Sequence, residues 1–438
     1  MVAVEELKMI EKSLEKAGMK LTPSLLIYIS VVLMRAANAS FIISLTTAFP
    51  DISAWMQGII QASYSFTEAL FGIFSGIIYE YLGSSISIIF SSSLLFISYA
   101  IMTVFADMSI SAEAFTIPSA LAGLSASFLL TSSLAVISEE TIKASTKGRL
   151  FGVGGLEVSN IIGYAVGFTF AGTLQLILPS AIKGFSPSFL FSFLAFLSSI
   201  ILSKSMGRRN ISEFKNKKIT FHLKAKIEGK VLKLVPMWFG FSIVMGVAFI
   251  SPKFLSELFS PIEVSNPGLK LFSSFMLLFA LIILSLGVMG GSYIASILGK
   301  VNSLLAGSLS LPSTLVMLSI LVSYGSNIKG ISMFFFTLIL LTFSVLALSI
   351  PPTLLSLLAD FTDLSRIRGP SSGVYVTSMG IGIALGESLG GKIYDVFGLE
   401  TLLLILAIVF LPLGLSTWIM LYFERSRKNI SSKPIPQI

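Results

Sequence analysis

Long stretches without a single charged residue decide what this chain can become. Eight runs of at least 20 residues contain no Asp, Glu, Lys or Arg: 81–106, 114–138, 158–182, 184–203, 271–299, 301–328, 330–359 and 401–423. Two shorter ones cover 234–252 and 369–386, and two more, 21–49 and 54–79, each hold one charge. A helix crosses the hydrocarbon core of a bilayer with about 20 apolar residues. Segments in lipid must satisfy their own backbone hydrogen bonds, which helices do. The alternation of a membrane barrel is missing. Charged residues make up 12% of the 438, against about 25% in soluble domains. The expectation is an all-α membrane protein of twelve transmembrane helices.

The basic residues set the orientation. With the N-terminus inside, 24 of the 30 Lys and Arg fall on the inner side and five on the outer, leaving Arg35 within the membrane. Basic residues concentrate on the cytoplasmic side of membrane proteins. This predicts a multi-pass protein of the cell membrane with both termini cytoplasmic. The net charge of +8 then faces anionic membrane lipids rather than nucleic acid. Residues 1–20 place Val4, Leu7, Ile10, Leu14 and Ala17 at helical spacing, as in a cytoplasmic amphipathic segment. A six-helix bundle over 21–203, a basic linker over 204–233, a second bundle over 234–423 and a tail over 424–438 complete the expected organisation.

Absences narrow the chemistry. There is no cysteine and one histidine, His222, in the polar linker. A metal centre or bound cofactor is not expected, and no nucleotide-binding loop points to a membrane enzyme.

The chain also repeats itself. Gly163, Gly167 and Gly172 match Gly382, Gly386 and Gly391 at an offset of 219. Glu139, Lys147, Gly148 and Gly152 match Asp360, Arg368, Gly369 and Gly373 at 221, and Gly83 matches Gly299 at 216. Glycines let membrane helices pack closely. Packing alone does not explain a shared offset, so two related halves are expected.

Gly76, Glu80 and Gly83 are spaced like the loop signature between the second and third helices of the Major Facilitator Superfamily, which this chain resembles. Ser84 and Ser85 stand where that signature is basic. A second copy is degraded at Ser292, Ser296, Gly299 and Lys300. Arg368, Gly369, Gly386, Gly390, Gly391, Tyr394, Asp395 and Gly398 are similar to the family's tenth-to-eleventh helix region. Phe168 after Gly167 departs from the antiporter motif, which has proline there, and the sugar-porter signature after the sixth helix is absent. The resemblance implies two pseudo-symmetric six-helix bundles around a central cavity, rocking between inward-open and outward-open states. It places Gly76, Glu80 and Gly83 in a cytoplasmic gate.

Candidate site residues are the polar groups kept in the membrane despite their cost, about 2.5–3.5 kcal/mol per charge at mid-bilayer. Arg35 lies 15 residues before Pro50 and Glu68 lies 17 after Asp51. At about 1.5 Å per residue, their depths differ by about 3 Å. Opposite charges at matching depth on adjacent antiparallel helices can meet, either as a working pair or as a fixed structural one. Asn38 shares the face of Arg35, and Asn160 that of Glu157. Glu157 falls in the inner third of the fifth span and Glu387 in the outer third of the eleventh. Carboxyls kept from water can carry protons. Pro351-Pro352 is expected to bend the tenth span.

Together these readings predict a secondary transporter coupled to protons, a monomer moving a small organic solute. An uncoupled facilitator and a non-transporting receptor or scaffold are the alternatives.

Overall fold

The computed structural model describes residues 23–49, 51–141, 146–205, 229–249, 285–325, 328, 330–362 and 369–431. The expected amphipathic segment 1–20 and most of the basic linker lie outside these residues.

The described chain is a helical bundle without strands. Its main helices are α1 (Pro23–Ala48), α2 (Ala54–Asp107), α3 (Thr116–Glu140), α4 (Thr146–Ile177), α5 (Ser186–Ser205), α6 (Val235–Phe249), α7 (Ser285–Leu298), α8 (Lys300–Tyr324), α9 (Ile331–Ala347), α10 (Ile350–Thr362) and α11 (Gly369–Ser431). Seven spans among the described residues are long and apolar enough to cross a membrane. Two of them, α2 and α11, run past 50 residues and are each broken at one glycine, Gly83 and Gly398. The count of twelve requires a pass that begins within 250–284, outside the described residues.

Polarity runs inside out relative to a soluble protein. On α2, Phe66, Leu70, Phe74, Ile86, Phe90 and Ile97 point outward, while Ser65, Ser75, Ser84, Ser87, Ser91 and Ser98 are buried. Outside is lipid, so the apolar face gains nothing by hiding. Association rests instead on close packing and interhelical hydrogen bonds. The α2–α3 seam uses both. Ser91 and Ser125 each donate their hydroxyl to the other's carbonyl at 2.8 Å, and Ser75 Oγ donates to Thr131 Oγ1 at 3.0 Å. A Cβ on Gly123 would strike the backbone of Tyr64. Such bonds average about 0.6 kcal/mol each in membranes, so the seam depends on their number.

The repeat is visible in the backbone. Six described residues have positive φ, and they pair across the halves: Gly83 (75°) with Gly299 (80°), Ser109 (52°) with Gly330 (61°), and Phe185 (58°) with Gly398 (79°). Each marks the corner between consecutive passes. Helix contacts repeat as well. Gly163 packs on Val32 and Arg35, and Gly167 on Ala36 and Ala39. Their counterparts Gly382 and Gly386 pack on Phe239 and Ser242, and on Ile243 and Gly246. The partners are offset by a constant 207 residues, so the α4-on-α1 contact recurs as α11 on α6.

The halves meet along α2 and the first arm of α11, residues 369–397. Ala54 faces Gly391, Gly58 faces the Glu387 carbonyl, Ser65 faces Gly380, and Gly72 faces Gly373. That arm continues well past the charge-free run ending at 386, because its charges have partners on α2. The Trp55 N–H donates to Asp395 Oδ2 at 3.0 Å, and Lys392 lies over the Trp55 ring at 5.4 Å. The tenth span divides at Leu348-Ser349, just before Pro351-Pro352, into α9 and α10. Proline supplies no N–H to the preceding turn, which accounts for a break at that place.

Candidate functional site

Arg35 is the hub of a buried network. It extends from the middle of α1, which α4 approaches closely through Gly163 and Gly167. The side chain is 2% exposed, so its charge depends on protein partners. Its Nε donates to Asn160 Oδ1 at 3.0 Å, Nη1 to Tyr64 Oη at 3.2 Å and to Tyr164 Oη at 3.5 Å, and Nη2 to Glu68 Oε1 at 3.4 Å. A guanidinium has five N–H groups. Four are taken, by three helices of one half. The expected meeting of Arg35 and Glu68 is thus present as an ion pair. The ring of Tyr164 also lies 5.7 Å from the guanidinium carbon.

Asn38 and Asn160 sit where helical spacing puts them. Asn38 Nδ2 donates to Tyr164 Oη at 3.2 Å. Asn160 hydrogen-bonds Glu157, three residues before it, and so bridges that carboxylate to Arg35. Glu157 in turn accepts a hydrogen bond from Tyr375 Oη at 2.5 Å. Tyr375 belongs to α11, so this bond joins the two halves. Close by, Thr377 Oγ1 donates to the Ala69 carbonyl at 2.8 Å, a second link between them.

Glu387 stands apart from the Arg35 cluster, toward the end of the bundle that holds Asp51. Its side chain hydrogen-bonds Ser65. One oxygen of Glu387, Oε2, and one of Glu68, Oε2, have no hydrogen-bond partner among the protein atoms. Burying an unpaired carboxylate oxygen is costly, which marks both as places where a proton, water or solute group would be stabilised.

A small cavity adjoins the network. Its polar wall is Arg35, Glu157, Asn160 and Tyr164 from the N-terminal half. Its apolar wall is Phe241, Met245, Phe249, Val288, Leu348, Pro351 and Met379 from the C-terminal half. Phe249 stacks on Tyr164 with ring centroids 4.4 Å apart.

Sequence reasoning missed Tyr64, Tyr164 and Tyr375. A signal existed for two of them, since Tyr64 lies four residues before Glu68 and Tyr164 four after Asn160. Helix residues at that spacing share a face. Gly76, Glu80 and Gly83 lie far from this cluster, at the opposite end of the first arm of α2. There Gly83 adopts φ 75° and ends the arm. The counterpart corner, at Gly299, is followed by Lys300, whose ammonium meets Asp360 Oδ2 at 2.5 Å. At the offset of 216, Ser84 occupies the position of Lys300 and offers no charge to Glu139. Among the described residues no group of three or more His, Cys, Asp or Glu is placed to hold a metal ion.

No protein-family model and no curated protein sequence matches the chain. Its fold does match solved structures. The human organic anion transporter MFSD10 (TETRAN) superposes with a TM-score of 0.62 at 14% identity, over 90% of this chain and 98% of that one. FucP, a Major Facilitator Superfamily transporter captured in the outward conformation, gives 0.60 at 18% identity, over 91% and 98%. The nucleoside transporter NupG gives 0.58 at 14% identity, over 92% and 99%. The chain is therefore a multi-pass membrane protein with the fold of Major Facilitator Superfamily transporters.

Proposed function

We propose that this protein is a secondary active transporter. It moves a small organic solute by alternating access and couples that movement to protons. The observation that carries the reading is the buried Arg35 network ending at the Glu157–Tyr375 bond between the halves. A network divided between two rigid bundles changes its partners whenever the bundles rock. The state that strips a carboxylate of its donors and counter-charge favours protonation. Glu68, Glu157 and Glu387 are the candidate proton carriers, and Arg35, Asn38 and Asn160 the candidate solute contacts. A purely structural ion pair would need neither the cavity beside it nor the unpartnered oxygens of Glu68 and Glu387.

Gly76, Glu80 and Gly83 serve in this reading as a gate at the cytoplasmic end, with both termini on that side of the cell membrane. The protein acts as a monomer among membrane lipids.

Reconstitution in liposomes with an imposed pH gradient tests the proposal. Sugars, carboxylates, amino acids and amines are offered in turn. Uptake of one class that rises with the gradient is the expected result. Uptake indifferent to the gradient would make the protein a facilitator, and no uptake of any class would favour a receptor or scaffold.

A further inference from the structure

Two turns beyond the Arg35 cluster, α2 carries a pair of glutamines that the network does not use. Gln57, Gln61, Tyr64 and Glu68 follow one another at spacings of four, three and four residues, which puts them on one stripe of the helix. The inner two reach Arg35. The outer two, Gln57 and Gln61, are 0% and 3% exposed, and neither amide nitrogen nor amide oxygen of either finds a protein partner. Beside them on α11 stands Glu387, 3% exposed, with Ser65 on one oxygen and nothing on the other. Five buried polar atoms without partners in one place are far from the usual outcome for protein interiors.

Charge decides what would fill such a place. The buried cluster holds three carboxylates, Glu68, Glu157 and Glu387, against one guanidinium. That guanidinium has already spent four of its five N–H groups. An anionic solute would meet an excess of acids and a cation with little left to offer. A cation with N–H donors would find free acceptors: Glu387 Oε2 and the Gln57 and Gln61 carbonyls.

We propose that Gln57, Gln61 and Glu387 form an outer solute subsite that takes a cationic, hydrogen-bond-donating group, an amine or amidinium. This rests on the transport reading for its purpose but not for its test. The chain has no cysteine, so one introduced thiol is the sole target for a thiol reagent. Gln57→Cys and Gln61→Cys, made separately in the full chain and purified in detergent, are reacted with two methanethiosulfonates. One carries a trimethylammonium group and the other a sulfonate. The reference is Met108→Cys, at a position 66% exposed.

The expected cation-to-anion rate ratio at Gln61→Cys is at least tenfold above the reference. Adding Glu387→Gln should lower it at least threefold. Should that double variant not fold, the ratio in the otherwise native chain decides alone. No labelling of either cysteine, a ratio at or below the reference, or a ratio unmoved by Glu387→Gln in folded protein would overturn the proposal. Cation-selective labelling in a protein that moves no solute would refute transport and leave the subsite standing. Coupled transport with anion-selective labelling would do the reverse.

Discussion

The two halves share a skeleton and differ in chemistry. Their corners fall at paired positive-φ residues, and their inner helices touch through the same glycines. Yet at the contact offset of 207, Arg35 corresponds to Ser242 and Asn38 to Met245. At 219, Asn160 corresponds to Met379, Tyr164 to Ile383 and Glu157 to Val376, while Glu387 corresponds to Phe168. Close helix contact tolerates little change, because a side chain at those glycines would strike backbone. The cavity-facing positions carry no such constraint. One wall became polar and the other apolar, which suits a solute with both a polar and an apolar side.

Four substitutions can break or sharpen this comparison. The largest effect is expected at Arg35. Its loss in Arg35→Met leaves Glu68 buried without its cation, and breaking such a pair costs about 3–5 kcal/mol. Ser242→Ala, the matching position, should cost less than about 1 kcal/mol. Denaturant unfolding in detergent would measure both, and equal losses would mean that the polar wall has no special role in holding the bundle together.

Gly167→Val and Gly386→Val should each cost about 2–3 kcal/mol, by forcing apart the same contact in either half. Thermal unfolding should show the two losses within about 1 kcal/mol of each other. A loss confined to one half would show that the packing symmetry is only formal.

Removing the hydroxyl in Tyr375→Phe takes a hydrogen bond from a carboxylate, worth about 1.5–3 kcal/mol. Because this bond crosses between the halves, it should also raise the share of molecules with α4 and α11 apart at that level. Distance measurement between spin labels on the two helices would report it. An unchanged distribution would remove the bond from the conformational cycle.

The smallest effect belongs to the corners. A Cβ on Gly299 or Gly398 would touch nothing within 4 Å, so alanine there meets only backbone strain at φ 80° and 79°. A loss of about 1–2 kcal/mol in each is expected from equilibrium unfolding.

Much of this was legible in the sequence. The Arg35–Glu68 pair follows from equal depth, and the break before Pro351-Pro352 from the missing backbone donor. The duplication follows from glycine offsets, since glycine is where packing and backbone freedom leave a mark in the chain. The tyrosines of the site were harder to see, as aromatics are common in any apolar span and only their partners distinguish them. The extent of α11 was hidden for the opposite reason. Glu387, Lys392 and Asp395 read as the end of a span, but each finds a partner on α2 across the interface. Contacts between distant segments leave no periodic trace.

The most direct test is gradient-driven uptake in liposomes by the native protein, Arg35→Gln and Glu68→Gln, with folding of each variant verified. Uptake that follows the pH gradient in the native protein and is uncoupled or lost in both variants is the predicted result. Coupled uptake at the native level in both would contradict a working role for the buried pair.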